Sequence, residues 1–211
     1  LASDVVLISD TPMFDKGQPS LCVSLRGLVY LELMVQGPKE DLHSGQHGGA
    51  VVNPIHALID VVSRMKNAQD VVQIPGFYDG VEAIPDLLNK SATTLPFSDS
   101  EYQKELGVTS LGGSSGFCTL EKLWCRPTLD CNGIVGGYIG EGAKTVIPSR
   151  ASAKISMRLV GDQDPDRIIA SFRDFVADTI MPGVTYDIAS YAGSGGVVVD
   201  VDHPAIKAGL D

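Results

Sequence analysis

Apolar and polar residues alternate along several stretches of this chain, which is the pattern of β-strands with one buried face. The longest stretch runs from Leu21 to Val35, and Arg26-Gly27 within it predicts a bulge or a bend. Two more strands are predicted at 129–138 and 151–160, and a last one at 184–188. The strand at 151–160 is apolar at every second residue, so one of its faces is expected to point into a core.

Two amphipathic helices are predicted between these strands. Asn53-Pro54 opens the first, because asparagine is a good helix cap and proline is favoured at the first helical position. Its apolar residues at helical spacing are Ile55, Leu58, Ile59, Val62 and Met65. Asp164-Pro165 opens the second helix, which runs through about Ile180. Its apolar stripe consists of Ile168, Ile169, Phe172, Phe175 and Val176.

The order strand, helix, strand, strand, helix, strand over residues 21–188 predicts the fold class. It is typical of an α+β, ferredoxin-like fold, in which a four-stranded antiparallel sheet carries two helices on one face. Such a sheet leaves an edge strand and a helix free to pair, which favours a dimer. Residues 69–125 are less regular and are interpreted as a partly helical insertion, with short helices near 83–89, 98–106 and 117–124.

At each end of the sequence, the pattern of a strand or a helix is cut short. Residues 4–9 read as a buried strand that ends near Asp10, and residues 203–208 read as the start of a helix. A sequence that starts within one element and stops within another is expected to be part of a longer polypeptide. Asp10 at a strand end is either a turn or capping residue or part of a site.

The composition argues against some partners. The chain has 16 basic and 26 acidic residues, a net charge of −10 and no basic cluster, which disfavours nucleic acid and anionic membranes. No apolar run is long enough to span a bilayer and no leader pattern is present, so a cytoplasmic location is predicted. Cysteines at 22, 118, 125 and 131 lack a C-x-x-C spacing and are expected to be buried, reduced thiols.

A glycine-rich segment with two histidines follows the first long strand. His43 and His47 lie among Gly45, Gly48 and Gly49, and a loop at a strand end can present such side chains to a cleft. The residues alone leave open whether His43 contacts a ligand, caps a helix or is solvated. The role of Arg158 is equally open, because an arginine on the polar face of a strand is commonly solvated or part of a surface ion pair.

Three motifs in order along the chain carry a resemblance to a known family. They are Asp-Leu-His-Ser-Gly at 41–45, Gly-Ala-Lys-Thr-Val-Ile-Pro at 142–148 and Ser-Met-Arg-Leu-Val at 156–160. Together they resemble the lid domain of M20-type metallopeptidases, in particular the carnosinase-like, cytosolic non-specific dipeptidase branch. The resemblance implies that 21–190 is a lid and dimerisation domain, and that 1–20 and 191–211 are its two connections to a catalytic domain.

The resemblance also implies roles for four residues. His43 would reach into the active site of the partner subunit and stabilise the tetrahedral oxyanion. Thr145 would hydrogen-bond substrate across the dimer, and Arg158 would bind the substrate carboxylate. Asp10 would be one ligand of a two-zinc centre whose other ligands, with the general base, are absent from this sequence. The fragment alone is therefore expected to be inactive.

Two alternatives remain at this point. The same lid could serve an N-acyl amino acid deacylase, because those substrates also carry a carboxylate. A stand-alone ferredoxin-like interaction module is a hypothesis from another class, and the interrupted ends disfavour it. The sequence favours the lid of a dipeptidase that hydrolyses a short peptide with a free carboxylate.

Overall fold

A computed structural model describes residue 6, residues 13–84 and residues 86–210. The predicted metal ligand Asp10 lies outside the described residues, and so does the predicted strand at 4–9 apart from Val6. The described strands are β1 (Ser24–Leu25), β2 (Gly27–Gln36), β3 (Leu42–His43), β4 (Thr128–Gly136), β5 (Val146–Ile147), β6 (Arg150–Leu159), β7 (Thr185–Ser194) and β8 (Val197–Val198). The described helices are α1 (Ser44–His47), α2 (Pro54–Arg64), α3 (Asp86–Thr94), α4 (Asp99–Leu106), α5 (Thr119–Trp124), α6 (Pro165–Thr179) and α7 (Pro204–Leu210).

The main sheet has four antiparallel strands in the order β4-β6-β2-β7. Strands β2 and β6 run side by side along their whole length, from Gly27 opposite Leu159 to Gln36 opposite Arg150. The helices α2 and α6 pack on the same core as this sheet. The order of elements and strands is that of the ferredoxin-like α+β fold, so the predicted fold class is confirmed.

The core lies between one face of the sheet and the two long helices. Alternate residues of β2 and β6 are almost wholly buried, as their periodicity predicts; they are Val29, Leu31, Leu33, Val35, Ala153, Ile155, Met157 and Leu159. Burying each of the larger side chains contributes roughly 1.5–3 kcal/mol. The helices close this layer with Ala57, Leu58, Val61, Met65, Ile168, Phe172, Phe175 and Val176. The opposite face of the sheet has neither long helix over it.

Both long helices begin where the sequence predicts. The Asn53 side chain accepts a hydrogen bond from the Ile55 backbone N–H at 2.9 Å, and Asp164 accepts one from Asp166 at 2.9 Å. These caps satisfy backbone donors that the first helical turn leaves unpaired. The predicted apolar stripe of α2 is wrong at Ile59, whose side chain is 49% exposed.

Several predicted boundaries shift. The strand predicted from residue 21 divides at Arg26, because β1 pairs with β8 whereas β2 joins the main sheet. The helix predicted near 83–89 is α3 and extends to Thr94, and the last strand extends to Ser194. The thiols predicted to be buried are exposed at positions 22, 118 and 131 and half-buried at Cys125. Cys131 is on the edge strand β4, and Cys118 and Cys125 are the caps of the short helix α5.

The segment predicted as an insertion packs against the core at its start. Phe77 is fully buried, and its carbonyl accepts a hydrogen bond from the buried Gln163 side chain at 2.5 Å. Further along, the Thr119 hydroxyl donates to Asp99 at 2.7 Å and links α5 to α4. In the part of the chain that the structure describes, no helix is long and apolar enough to cross a lipid bilayer.

Candidate functional site

His43 lies where a short strand turns into a short helix. It is the last residue of β3, opposite Val146 of β5, and the N-cap of α1. The Gly45 backbone N–H donates to His43 Nδ1 at 3.0 Å. On the other side of the exposed ring, Nε2 lies 3.2 Å from Thr145 Oγ1. The structure therefore brings together two of the residues that the sequence singles out.

These two contacts determine what the imidazole can donate. Because Nδ1 accepts a hydrogen bond from a backbone amide, it carries no proton in the neutral ring, and the proton resides on Nε2. Nε2–H is then a hydrogen-bond donor that points away from the helix, with the Thr145 hydroxyl as its neighbour. Both groups are able to donate to an oxygen of a ligand placed at this exposed corner.

A network of hydrogen bonds holds the two segments of this corner together. Asp41 Oδ1 accepts from the Ser149 backbone N–H at 2.8 Å, and the Ser44 N–H donates to the Thr145 carbonyl at 3.1 Å. The Gly37 N–H donates to the Ser149 carbonyl at 2.8 Å. The hydrogen bond from the Ser149 backbone lowers the pKa of Asp41, because it stabilises the ionised carboxylate.

Gly45 is required by close packing under the His43 ring. A Cβ atom at this position would lie 2.9 Å from His43 Cε1 and 3.1 Å from Nδ1. Real Cβ atoms are not found at such a short distance from a carbon, so a larger residue would displace the ring. The glycine that the sequence places two residues after the histidine thus helps to fix its orientation.

Arg158 lies at the other end of the sheet. It is exposed on β6, opposite Leu28 of β2 and Thr128 of β4. It is eight positions along β6 from Arg150, where β6 begins beside the His43 corner, which corresponds to about 26 Å along the strand. A dipeptide is only about 7 Å long. Within one chain, Arg158 and His43 therefore cannot contact the same dipeptide.

No candidate metal site is formed by the described residues, since they include no group of three or more His, Cys, Asp or Glu side chains able to hold an ion. The predicted ligand Asp10 is outside them. His47 and His56 are exposed, and His203 Nδ1 accepts from the Ala205 N–H at 3.2 Å, which makes it a helix cap. This part of the chain does not provide a complete ligand set for a metal.

Sequence reasoning missed the pairing that builds the His43 corner. Val146–Ile147 forms β5 and pairs with Leu42–His43, and neither segment is among the strands that the sequence predicts. Two-residue strands have too few positions to show an alternation, so periodicity gives no signal for them. The 3.2 Å contact between His43 and Thr145 is a consequence of this pairing and joins residues 102 positions apart in the sequence.

Comparison with protein families and with curated proteins shows what this chain is similar to. Residues 23–183 match the M20 family described as the peptidase dimerisation domain. The chain is 34% identical over 165 residues to the Cys-Gly metallodipeptidase DUG1 of Candida albicans, an alignment that covers 78% of this chain and 34% of that protein. It is 30% identical over 162 residues to the Beta-Ala-His dipeptidase of Rattus norvegicus, covering 77% of this chain and 33% of that protein.

The chain is also similar to a solved structure of an M20 family protein. The chain superposes on the M20 family metallo-carboxypeptidase Sso-CP2 from Sulfolobus solfataricus with a TM-score of 0.84 and 29% identity, covering 94% of this chain and 51% of that chain. The chain thus spans about one third of the length of the two curated relatives and about half of this carboxypeptidase. The resemblance seen in its motifs is confirmed, and the chain belongs to the M20 metallopeptidase family, whose dimerisation domain it contains.

Proposed function

We propose that this chain is the lid and dimerisation part of a metal-dependent dipeptidase that hydrolyses short peptides with a free carboxylate. The curated relatives named above are a metallodipeptidase and a dipeptidase, which favours this activity over N-acyl amino acid deacylation. We assign residues 21–190 to the lid, with 69–125 as its insertion. Residues 1–20 and 191–211 are then the connections to the catalytic domain.

The contact between His43 and Thr145 carries this proposal. Nε2–H of His43 is oriented by the amide that binds Nδ1, and the Thr145 hydroxyl lies 3.2 Å away. When the scissile carbonyl becomes a tetrahedral oxyanion, a fixed N–H donor stabilises the developing charge, and such a donor is typically worth about 3 kcal/mol. We propose that Thr145 holds the substrate beside it. The His43 role is thus that of an oxyanion donor.

Arg158 is proposed to bind the carboxylate of the peptide, since a planar two-pronged donor suits that group. The distance of about 26 Å along β6 between Arg158 and the His43 corner supports a shared site. If both residues contact one dipeptide, they come from two copies of the chain. His43 and Thr145 of one subunit then act in the site that contains Arg158 of the other.

The surface around strand β4 supports a homodimer. Strand β4 is an edge strand that pairs only with β6 in the described sheet, so its outer backbone groups are available to a second copy. Ile134 and Val135 on this strand are 51% and 65% exposed, and Ile59 on α2 is 49% exposed. Apolar side chains at a free sheet edge are typical of a dimer interface. We expect Ile134→Asp to shift the protein toward a monomer.

The metal is proposed to be zinc, with two ions in the full-length protein. Within the described part of the chain the residues do not form a metal site, so any ions would be held mainly by the catalytic domain. Zinc in such a centre activates water and polarises a carbonyl. We therefore propose that this chain alone is inactive. As a separate proposal, the intact enzyme is cytoplasmic.

The test is the activity of the full-length protein loaded with zinc. We expect hydrolysis of the Cys-Gly dipeptide, little hydrolysis of an N-acetyl amino acid, and a loss of about 100-fold in kcat for His43→Ala. His47→Ala, an exposed histidine four residues away, is the matched control and is expected to keep wild-type turnover. A His43→Ala enzyme with wild-type turnover would refute the oxyanion role. Rapid deacylation without peptide hydrolysis would instead support the deacylase alternative.

A further inference from the structure

Two arginines lie close together at one end of the sheet. Arg158 is opposite Leu28 in the β2 and β6 pairing, and its exposed side chain is on the face opposite the helices. Arg26 lies between β1 and β2, and the next residue, Gly27, is opposite Leu159, the neighbour of Arg158. This pairing brings the two long side chains near each other, and the charge of Arg158 acts on Arg26.

Asp130 is the acidic neighbour of this pair. It is on β4, opposite Ser156, and two residues from Thr128, which is opposite Arg158. Asp130 therefore shares the open face with Arg158. Neither arginine side chain makes a hydrogen bond or a salt bridge with another residue in the described ranges, 13–84 and 86–210. The pair is exposed enough to receive a ligand, since Arg158 is exposed and Arg26 is half-buried.

The electrostatics of Arg26 agree with this geometry. Burial lowers its pKa, and the positive charge of Arg158 lowers it further, while Asp130 partly opposes both effects. Two guanidinium groups held side by side repel each other, and an anion bound between them relieves that repulsion.

We infer that Arg26 and Arg158 together bind the terminal carboxylate of the substrate, so that Arg26 is a second substrate-binding residue at the position proposed for Arg158 alone. The inference rests on the proposed dipeptidase function and adds a residue to it. Both guanidinium groups present planar pairs of N–H donors, and two such forks can bind the two oxygens of one carboxylate.

The charge balance indicates one carboxylate rather than two. Arg26 and Arg158 contribute two positive charges and Asp130 one negative charge, which leaves a net charge of one. A single carboxylate neutralises it. A C-terminal aspartate or glutamate would bring two negative charges close to Asp130 and would be disfavoured. The site is therefore expected to prefer dipeptides whose second residue is uncharged.

The experiment compares Cys-Gly with its C-terminal amide in the full-length, zinc-loaded protein. We measure the ratio of kcat/KM for the free dipeptide to kcat/KM for the amide in the wild type, Arg26→Met, Arg158→Met, the double variant and the control Arg173→Met. Arg173 is exposed on α6, on the other side of the sheet. Turnover of the amide reports whether each variant is folded, because the amide lacks the group that the arginines bind.

We expect the ratio to fall about tenfold in Arg26→Met and in Arg158→Met, mainly through KM for the free dipeptide, and to stay unchanged in Arg173→Met. The double variant should lose less than the product of the two single losses, because the arginines share one carboxylate. Arg26→Lys should have a ratio between those of Arg26→Met and the wild type, because a point charge replaces a two-pronged donor.

Three other results are distinguishable. A reduced ratio in Arg158→Met with a wild-type ratio in Arg26→Met overturns this inference and leaves the proposed function intact. Wild-type ratios in both variants overturn the carboxylate role of Arg158 as well. An equal loss on both substrates in Arg26→Met means that Arg26 acts through the fold, which also overturns the inference.

Discussion

Gly45→Ala tests whether the orientation of His43 matters for activity without removing the histidine. The new Cβ would lie 2.9 Å from His43 Cε1, against an ordinary contact of at least 3.4 Å, so the ring must move by about 0.5 Å. The backbone itself accepts alanine, because Gly45 is in the short helix α1 and has no left-handed conformation. The perturbation is therefore confined to the histidine ring and its contacts.

The magnitude follows from the two contacts that the ring makes. A shift of 0.5 Å disturbs the 3.0 Å hydrogen bond at Nδ1 and the 3.2 Å contact between Nε2 and Thr145. A misplacement of 1 Å can cost about 100-fold in rate, so half of that distance is expected to lower kcat about tenfold. Stability should change by less than about 1 kcal/mol, because alanine is the better helix former.

The assay is kcat for Cys-Gly hydrolysis by the full-length protein, together with its free energy of unfolding in urea. Gly112→Ala is the matched control, because a Cβ there meets nothing within 4 Å and the residue has an ordinary φ angle. It should leave kcat unchanged. Wild-type kcat in Gly45→Ala would refute the reasoning that a fixed His43 ring stabilises the oxyanion.

Three further predictions concern stability and titration. Phe77→Ala removes a fully buried ring and should lower the free energy of unfolding by about 3–5 kcal/mol in a urea titration. Asp41→Asn should remove the contribution of the Ser149 hydrogen bond to acid denaturation. The lowered pKa of Asp41 stabilises the native protein above about pH 4, and this stabilisation is lost as the pH falls through that pKa. Tyr191→Phe removes a 2.6 Å hydrogen bond and should raise the pKa of Glu32, measured by NMR titration of its carboxyl carbon.

Each of these three predictions has a clear contrary result. A loss below about 1 kcal/mol for Phe77→Ala would mean that the start of the insertion is not part of the core. Acid unfolding of Asp41→Asn identical to that of the wild type would mean that the Asp41 contact does not stabilise the corner. An unchanged titration of Glu32 in Tyr191→Phe would assign its lowered pKa to Ser152 and Lys154, its other neighbours.

The fold could be predicted from the sequence because its core elements are long. Ten-residue strands such as β6 show five alternations, and α6 has four turns of apolar periodicity behind the Asp164-Pro165 start. These patterns determine which face is buried, and the burial of Ile155 and Phe172 follows. The exposure of Ile59 could not be predicted, because periodicity does not indicate how far around the helix its contact with the core extends.

The candidate site was only partly predictable. Motifs identified His43, Thr145 and Arg158, but their spacing does not show that the first two are in contact and the third is far along β6. The relation between Arg26 and Arg158 depends on the register of β2 against β6, which a single sequence does not determine. Residues brought together by strand pairing are therefore found only once the register is known.

A subunit-mixing experiment determines whether His43 of one subunit and Arg158 of the other act on the same substrate. His43→Ala and Arg158→Met proteins, expected to keep about one hundredth and about one tenth of the wild-type kcat/KM for Cys-Gly, are co-expressed so that mixed dimers form. If the residues act across the dimer, each mixed dimer contains one intact site, and an equal mixture should recover about one quarter of wild-type activity. If both residues act within one subunit, every site carries a defect, and activity no higher than that of the separate variants would contradict the account.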